Sequence, residues 1–251
     1  MSQGNGGRLA GAPVAGGGTP QTSWLAARLG PDADLTGCTG LVAVGAHPDD
    51  ETLGLGATIA GLAAAGVGVQ VVSVSDGGAA DPGASPSERM RLEARRRREL
   101  LDAAEVLGIG PPRSFGLPDG RLAEYEGRIT QLLVEILAAA APGTWCAATW
   151  RGDGHPDHEA VGRAAAVACA RTGVPLVEYP IWMWHWAVPG DSAVPWHRAY
   201  SMPRSVSAAD RKRRAVQCFR SQLESPSTGG PPVLPAFVVD RLVAVGEVVF
   251  R

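Results

Sequence analysis

Short apolar segments alternate with helical patterns along most of the chain, and this alternation limits the folds that it can adopt. Apolar and β-branched runs predict strands at residues 41–46, 67–75, 113–117, 145–150 and 176–179. Helical patterns lie between them, at residues 52–65, from a capping box at 85–88 as far as 107, and at 121–140 and 156–171. Repeated βα units predict an α/β fold, Rossmann-like and doubly wound, with a mostly parallel sheet and helices on both faces. Ligands of such sheets bind beyond the carboxyl ends of the strands.

The alternation weakens after residue 180, and the glycine-rich N-terminus lacks it altogether. A possible strand at 198–202 and a helix at 208–221 follow a tryptophan-rich loop. Residues 1–19 hold few large apolar side chains and cannot bury enough surface to offset the entropy of ordering them. We therefore expect a flexible tail over residues 1–22 and a single domain over residues 23–251.

Composition and charge argue against several classes of partner. A net charge of −2 gives no general attraction to nucleic acid. The most apolar stretch, 53–74, is interrupted by glycine and polar residues, so no membrane span is expected. The N-terminus lacks the apolar core of a signal peptide, which indicates a cytoplasmic protein, and a homo-oligomer is compatible with the sequence. The four cysteines have no C-x-x-C spacing and are expected to be buried thiols.

Two pairs of potential metal ligands follow directly after predicted strands. His47-x-x-Asp50 offers an imidazole and a carboxylate that can reach one cation, and His155-x-x-His158 offers a second pair. Either pair alone is a weak signal, but two such pairs at strand ends favour a metal site. Three ligands with one open position are typical of catalytic zinc, whereas a structural zinc would favour cysteine.

Four motifs relate the chain to a known family. They are A-H-P-D-D-E at 46–51, H-P-D-H at 155–158, R-x-x-E-L at 96–100 and L-P-D-G at 117–120. With these motifs, residues 41–251 resemble the PIG-L or LmbE-like zinc-dependent N-deacetylases, among them GlcNAc-phosphatidylinositol, mycothiol-pathway and antibiotic-pathway enzymes. The resemblance implies hydrolysis of the N-acetyl group of a GlcNAc-type sugar or glycoconjugate, with Zn²⁺ as cofactor and Fe²⁺ as an alternative.

The resemblance also implies a role for each residue of the motifs. His47, Asp50 and His158 would bind the metal, and Asp49 would act as general base on the metal-activated water. His155, as an imidazolium, would stabilise the oxyanion or protonate the leaving amine. Asp157 would orient His155, and Glu51 would support the loop. Arg96 and Asp119 would contact the sugar or its aglycone.

The segment 179–186 contains three tryptophans and one histidine. Such rings form a platform for a sugar in many proteins, or they pack the rim of the sheet. We expect the segment to border the site, with Trp184 and His185 contacting substrate. One position departs from the family: the mycothiol-pathway relative has a tyrosine where this chain has Asp153, so any role of that tyrosine is absent here or filled by another residue.

Two other functions remain open at this stage. An amidase acting on a non-sugar amide or a thiol conjugate would use the same metal chemistry, and the motifs do not separate it from a sugar deacetylase. A metabolite-binding protein without turnover would have no chemical need for Asp49 and His155.

Overall fold

A seven-stranded sheet forms the centre of the described chain. The computed structural model describes residues 7–81, 83–226 and 229–251. The strands are Gly40–Gly45 (β1), Gly68–Ser75 (β2), Arg113–Leu117 (β3), Thr144–Thr149 (β4), Leu176–Tyr179 (β5), Ala199–Ser201 (β6) and Val248–Phe250 (β7). They lie in the order β3-β2-β1-β4-β5-β7-β6. The pairs among β1 to β5 are parallel, and β7 runs antiparallel to both β5 and β6. The predicted α/β fold is confirmed.

Helices cover both faces of the sheet. Side chains of β1 alternate between two apolar cores, with Leu41 and Ala43 in one and Val42 and Val44 in the other. The helices are Gly7–Gly11 (α1), Gln21–Leu25 (α2), Asp50–Ala64 (α3), Pro86–Leu107 (α4), Glu126–Ala138 (α5), Pro156–Thr172 (α6), Met183–Trp186 (α7), Val206–Val216 (α8), Arg220–Leu223 (α9) and Ala236–Ala244 (α10).

The order of the strands reverses between β1 and β4. From β1 the chain proceeds outward to β2 and β3, then returns to β4 on the other side of β1. This leaves a crevice beyond the carboxyl ends of β1 and β4, where doubly wound sheets bind their ligands. His47 follows β1 and His155 follows β4, so both histidine motifs lie at this crevice.

Most local signals of the sequence correspond to the observed elements. Ser85 and Glu88 form the capping box that starts α4, and Gly108, with φ +82°, ends it. The helix predicted at 121–140 begins instead with a 3₁₀ turn, Leu122–Tyr125, and the one predicted at 208–221 is divided into α8 and α9. The short elements α10 and β7 were not predicted.

The described part of the N-terminal segment packs against the tryptophan-rich loop. Thr19 is buried, its backbone N–H donates to the carbonyl of His185, and its hydroxyl donates to the carbonyl of Ala187. The Arg8 guanidinium lies over the Trp186 ring. These contacts join the described part of the predicted tail to the domain, residues 1–6 lie outside the described part, and the flexibility of residues 1–22 stays a prediction. The boundary of the domain at residue 23 stays a prediction.

The structure can be compared with two further predictions, that the cysteines are buried thiols and that no segment spans a membrane. Cys38, Cys146 and Cys169 are buried free thiols, while Cys218 is partly exposed. Within the described chain, no helix is both long and apolar enough to cross a membrane.

Candidate metal centre and active site

Three potential ligands converge at the crevice between β1 and β4. The Nε2 atom of His158 lies 3.2 Å from Oδ1 of Asp50 and 3.3 Å from Nδ1 of His47. The same His47 nitrogen lies 3.5 Å from Oδ2 of Asp50. Two imidazoles and one carboxylate form a donor set that suits a divalent zinc or iron ion. The spacing of these atoms therefore fits the metal that the motifs imply.

The other ring nitrogen of each histidine is held by a carboxylate. Nε2 of His47 lies 3.0 Å from Asp119 and 3.4 Å from Asp157, and Nδ1 of His158 lies 2.8 Å from Asp153. A hydrogen bond at one ring nitrogen directs the lone pair of the other toward a metal. His47 would thus bind through Nδ1 and His158 through Nε2.

The surrounding carboxylates favour a positive charge at this point. Burial alone would lower the pKa of His47, but hydrogen bonds to Asp119, Asp157 and Asp50 raise it well above its usual value. Burial likewise opposes the charge on His158, yet Asp50 and Asp153 raise its pKa to about 9. The same carboxylates would also stabilise a bound cation, to which His47 and His158 would give up these protons.

Asp49 lies in the sequence between the candidate ligands His47 and Asp50 and has an unusual backbone conformation. Among the described residues it is the only non-glycine with positive φ, at +155°, a strained geometry that occurs mainly at functional sites. Burial raises its pKa to about 6, against the opposing charge of Arg96. A carboxylate with a pKa near neutrality can both accept and return a proton, as a general base must.

Arg96 holds this strained loop in place. Its Nη2 atom donates to Oδ2 of Asp49 at 3.2 Å and to the carbonyl of Pro48 at 3.3 Å, and Nη1 donates to the carbonyl of Gly77 at 3.1 Å. A Cβ atom at Gly77 would collide with the guanidinium. Arg96 is therefore a positioning group for Asp49 as well as part of the cavity wall.

His155 differs from its expected state. Its Nδ1 accepts the backbone N–H of Asp157 at 3.3 Å, which leaves the proton of the neutral ring on Nε2. Burial, together with the nearby charges of His158 and His47, lowers its pKa to about 3. We expected an imidazolium, and the surroundings instead favour a neutral ring that donates through Nε2.

The carboxylate of Asp157 also differs from its expected role. It accepts the backbone N–H groups of Gly120 at 2.7 Å and Leu122 at 3.0 Å, and it faces His47 rather than the ring of His155. The carboxylate therefore fixes the loop that carries Asp119. Only the backbone of Asp157 orients His155.

One cavity of about 180 Å³ is lined by the three candidate ligands together with Asp49, Arg96, Asp119 and His155, and we call it the central cavity. Its polar side is formed by the motif residues, and the opposite wall is mostly apolar. That wall includes Leu53, Ile181, Trp182, Gln222, Val233 and Leu234.

The tryptophan-rich segment contributes Trp182 to this wall, but not Trp184 or His185. Trp184 is buried against Trp24, with ring centroids 5.0 Å apart. His185 lies 3.2 Å from Nη1 of Arg241 and faces the N-terminal segment. The substrate contacts expected of Trp184 and His185 are not supported, because the single turn of α7 directs both rings away from the central cavity.

Asp153 has a role that sequence reasoning did not identify. Besides holding His158, its carboxylate accepts the backbone N–H groups of Ile181, Trp182 and Met183 at 2.9–3.0 Å. It points away from the central cavity, so it does not take the place of the family's tyrosine. No local pattern indicates a contact between residues this far apart in sequence, and Gln222 was missed for the same reason.

The fold and the site define a class of protein: a doubly wound α/β protein with a candidate His/Asp cation site at the switch of strand order. The chain belongs to the PIG-L family, described as GlcNAc-PI de-N-acetylase, whose model matches residues 42–169. The match spans both histidine motifs, as well as the loop that carries Asp119.

Three individual proteins are similar to this chain. Diacetylchitobiose deacetylase of Thermococcus kodakarensis is 32% identical over 133 residues, with 51% of this chain and 48% of that protein covered. The 1D-myo-inositol 2-acetamido-2-deoxy-alpha-D-glucopyranoside deacetylase of Mycolicibacterium gilvum is 31% identical, with 61% of each chain covered. The chain thus spans about half to three fifths of these relatives. The zinc-inhibited form of the teicoplanin deacetylase Orf2 shares the fold, with a TM-score of 0.63, 23% identity, and 84% and 97% of the two chains covered.

Proposed function

We propose that this chain is a metal-dependent hydrolase that removes the N-acetyl group from a GlcNAc-type amino sugar or glycoconjugate. The observation that carries this proposal is the convergence of His47, Asp50 and His158 in one cavity with a buried carboxylate, Asp49, beside them. The names of the relatives, deacetylases of acetamido sugars, support this class of substrate. We propose further that residues 23–251 act as one catalytic domain.

We infer that His47, Asp50 and His158 hold Zn²⁺, with Fe²⁺ as the alternative because both ions accept these ligands. The cation would lower the pKa of a coordinated water and polarise the amide carbonyl. The teicoplanin deacetylase neighbour is a zinc-inhibited form. Zinc should therefore be titrated from one equivalent upward, so that activation and inhibition are distinguished.

Asp49 and His155 divide the proton chemistry in this proposal. Asp49 accepts the proton that the attacking water loses, and Arg96 keeps the carboxylate aimed at it. The same proton then passes from Asp49 to the leaving nitrogen, so that the carboxylate is regenerated. His155 donates its Nε2 proton in a hydrogen bond to the amide oxygen as negative charge develops there.

The walls of the central cavity suit a sugar ring. We propose that Trp182, rather than Trp184 or His185, packs against the apolar face of the sugar. Arg96 and Asp119 would meet its polar edge, although both are also bound to protein groups: Arg96 to Asp49 and Asp119 to His47 and the backbone of Ala79. Their effect on substrate is therefore coupled to the geometry of the metal and the base.

The test is acetate release from a panel of N-acetyl sugars and non-sugar amides, measured beside metal content. Asp49→Asn keeps the size of the side chain but removes its basicity, so the variant should keep its metal and lose turnover by about 10²–10⁴-fold. Asp50→Asn should lose metal affinity instead.

Other outcomes would change the proposal. Full activity of Asp49→Asn at matched metal content would show that another group is the base. Turnover confined to non-sugar amides would indicate the amidase, and no turnover of any amide by the metal-loaded protein would indicate a binding protein.

A further inference from the structure

Trp186, the last residue of α7, is bound to the loop that precedes His155. Its indole Nε1–H donates to the backbone carbonyl of Asp153 at 2.7 Å. The ring stacks on that of Trp150, with centroids 6.5 Å apart, and the guanidinium of Arg8 lies 4.8 Å from its centroid. Trp186 is not among the residues that line the central cavity. It therefore contacts the backbone of the site and not the space for a substrate.

The peptide that Trp186 holds leads directly into His155. Gly154 has φ +88°, and a Cβ atom there would lie 2.8 Å from Nε1 of Trp186 and 3.3 Å from the backbone nitrogen of Leu9. The loop therefore packs closely against both α7 and the N-terminal segment, which only glycine allows. In addition, the backbone N–H of Gly154 donates to Oε1 of Glu159 at 3.1 Å. The direction in which the chain enters α6, and with it the position of the His155 ring, depends on these contacts.

A second attachment holds the N-terminal segment on α7. Gly18 has φ +61°, and a Cβ atom there would lie 2.3 Å from Nδ1 and 2.5 Å from the carbonyl oxygen of His185. Nη2 of Arg241 donates to the carbonyl of Gly17 at 2.6 Å, and Nη1 of the same guanidinium lies 3.2 Å from Nδ1 of His185. The N-terminal segment is thus attached to α7 at two separate points.

The bond from Trp186 concerns His155 and not the metal ligand His158. The carboxylate of Asp153 holds Nδ1 of His158 and the backbone N–H groups of residues 181–183. Loss of the bond to the carbonyl of Asp153 removes none of these contacts. The two acceptors of Asp153 therefore serve different parts of the site: the carboxylate holds a candidate metal ligand, and the carbonyl holds the peptide before His155.

We propose that Trp186 is a positioning residue for His155, and that the N-terminal segment keeps Trp186 in place. The hydrogen bond from the indole fixes the peptide between residues 153 and 154, and this peptide aims Nε2 of His155 at the amide oxygen. The proposal rests on the proposed deacetylase function, in which His155 donates to that oxygen. It adds to the site two parts of the chain outside residues 42–169, which the family model matches.

Trp186→Phe tests the hydrogen bond, because it keeps an aromatic ring and removes the indole N–H. In the metal-loaded protein kcat for acetate release should fall about tenfold, the size expected of one hydrogen bond, while KM and the zinc Kd stay as in the wild type. Trp196→Phe is the matched control, since the Trp196 indole also donates to a backbone carbonyl, that of Asp191 at 2.9 Å, and does not line the central cavity. Its kinetics should equal those of the wild type. An unchanged kcat in Trp186→Phe would overturn the proposal.

A double variant distinguishes positioning from a general loss of structure. If Trp186 acts through His155, Trp186→Phe should not lower kcat further in the His155→Ala protein, because the imidazole that it positions is absent. A second fall of about tenfold in the double variant would show that Trp186 acts on something else, and the proposal would then be wrong.

Gly18→Ala tests the N-terminal segment, also in case Trp186→Phe fails to fold. Its new methyl group would collide with His185, whereas that of Gly17→Ala, at φ +81°, meets no atom within 4 Å. Both variants place a side chain at positive φ, so the collision is what separates them. Gly18→Ala should open the bond after Arg8 to trypsin and lower kcat as Trp186→Phe does, and Gly17→Ala should do neither. Wild-type kcat in Gly18→Ala, or equal behaviour of the two variants, would overturn the role of the segment.

The failures of the two proposals are distinguishable. If the wild type releases no acetate, the proposed function fails, and NMR then tests the positioning alone. The ring resonance of His155 in the metal-loaded protein, assigned by its absence from His155→Ala, should shift in Trp186→Phe and in Gly18→Ala, which keeps the indole ring. It should not shift in the controls Trp196→Phe and Gly17→Ala. An unchanged resonance in either test variant would overturn the part of the proposal that this variant tests.

Discussion

Single buried carboxylates decide how the candidate ligands are presented. Asp153 is completely buried and connects His158 to the backbone of the segment that contains Trp182. Asp157 does the same for His47 and the loop at Gly120, and Asp119 connects the same His47 nitrogen to the backbone of Ala79. Each candidate ligand histidine is therefore oriented by a residue that also holds part of the cavity wall, so that the positions of the candidate ligands and the shape of the cavity depend on each other.

The substitution Asp153→Asn tests this dependence. It removes the charge beside Nδ1 of His158 but keeps a side chain that can accept backbone N–H groups. Loss of such a partner typically weakens metal binding by about 10–100-fold. The measurement is the zinc dissociation constant, obtained by competition with a chelator.

The control for this prediction is Asp34→Asn. Asp34 is exposed, and its carboxylate accepts from the backbone N–H and the hydroxyl of Thr36, far from both histidine motifs in sequence. This variant should bind zinc as the wild type does. An unchanged zinc affinity in Asp153→Asn would mean that the contact with His158 contributes nothing to metal binding.

Helix α3 carries Asp50. A buried ion pair between two residues from the C-terminal part of the chain holds this helix in position. Glu247 accepts the backbone N–H groups of Ala57 and Thr58 at 2.8 and 2.7 Å, and Lys212 of α8 donates to it at 2.9 Å. Both members of the ion pair are about 3% exposed. The position of α3, and with it of Asp50, thus depends on residues more than 150 positions further along the chain.

We expect Lys212→Met to destabilise the fold by about 3–5 kcal/mol, because it leaves the carboxylate of Glu247 buried without its counter-charge. The measurement is urea denaturation monitored by circular dichroism. The matched control is Arg98→Ala, which breaks the exposed Arg98–Asp102 pair and should change stability by less than about 1 kcal/mol. A loss below that value in Lys212→Met would show that the buried pair does not stabilise α3.

At the scale of the whole molecule, the candidate metal centre joins segments that only folding brings together. His47 and Asp50 follow β1, whereas His158 lies on α6, more than 100 residues later. A cation that needs all three ligands binds the folded chain and not the unfolded one. Metal binding should therefore contribute to global stability.

Removal of the metal should lower the melting temperature. At a free zinc concentration of about 100 Kd, the contribution is about 2.7 kcal/mol, which corresponds to about 5–10 °C for a chain of this size. Thermal unfolding with zinc and with excess chelator measures the difference. In Asp50→Asn, the melting temperature with zinc should differ little from that with excess chelator. An equal difference in the wild type and in Asp50→Asn would mean that the stabilising zinc binds elsewhere.

Local patterns were sufficient for the first five strands and the helices between them, whereas the three candidate ligands came from the family resemblance that the four motifs carry. Apolar runs and the capping box at Ser85 depend on neighbours within a few residues, so the sequence determines them directly. The rule that parallel strands end at one edge of the sheet then brings His47 and His158 together without further information. For the same reason, the crevice itself could be predicted.

Only the tertiary structure decided what surrounds the ligands. The contacts of Asp153 with residues 181–183, of Glu99 with Ser221 and of Glu247 with α3 join segments that are distant in sequence, and no local pattern encodes such pairs. The three residues of β7 are a strand only because β5 and β6 lie beside them.

The tryptophans of the 179–186 segment are similar in chemistry, but the packing of α7 against Trp24 and the N-terminal segment leaves Trp182 as the tryptophan that faces the central cavity. The sequence by itself determined which groups could bind a metal, and long-range packing determined their partners, because hydrogen bonds and burial depend on distance in space rather than along the chain.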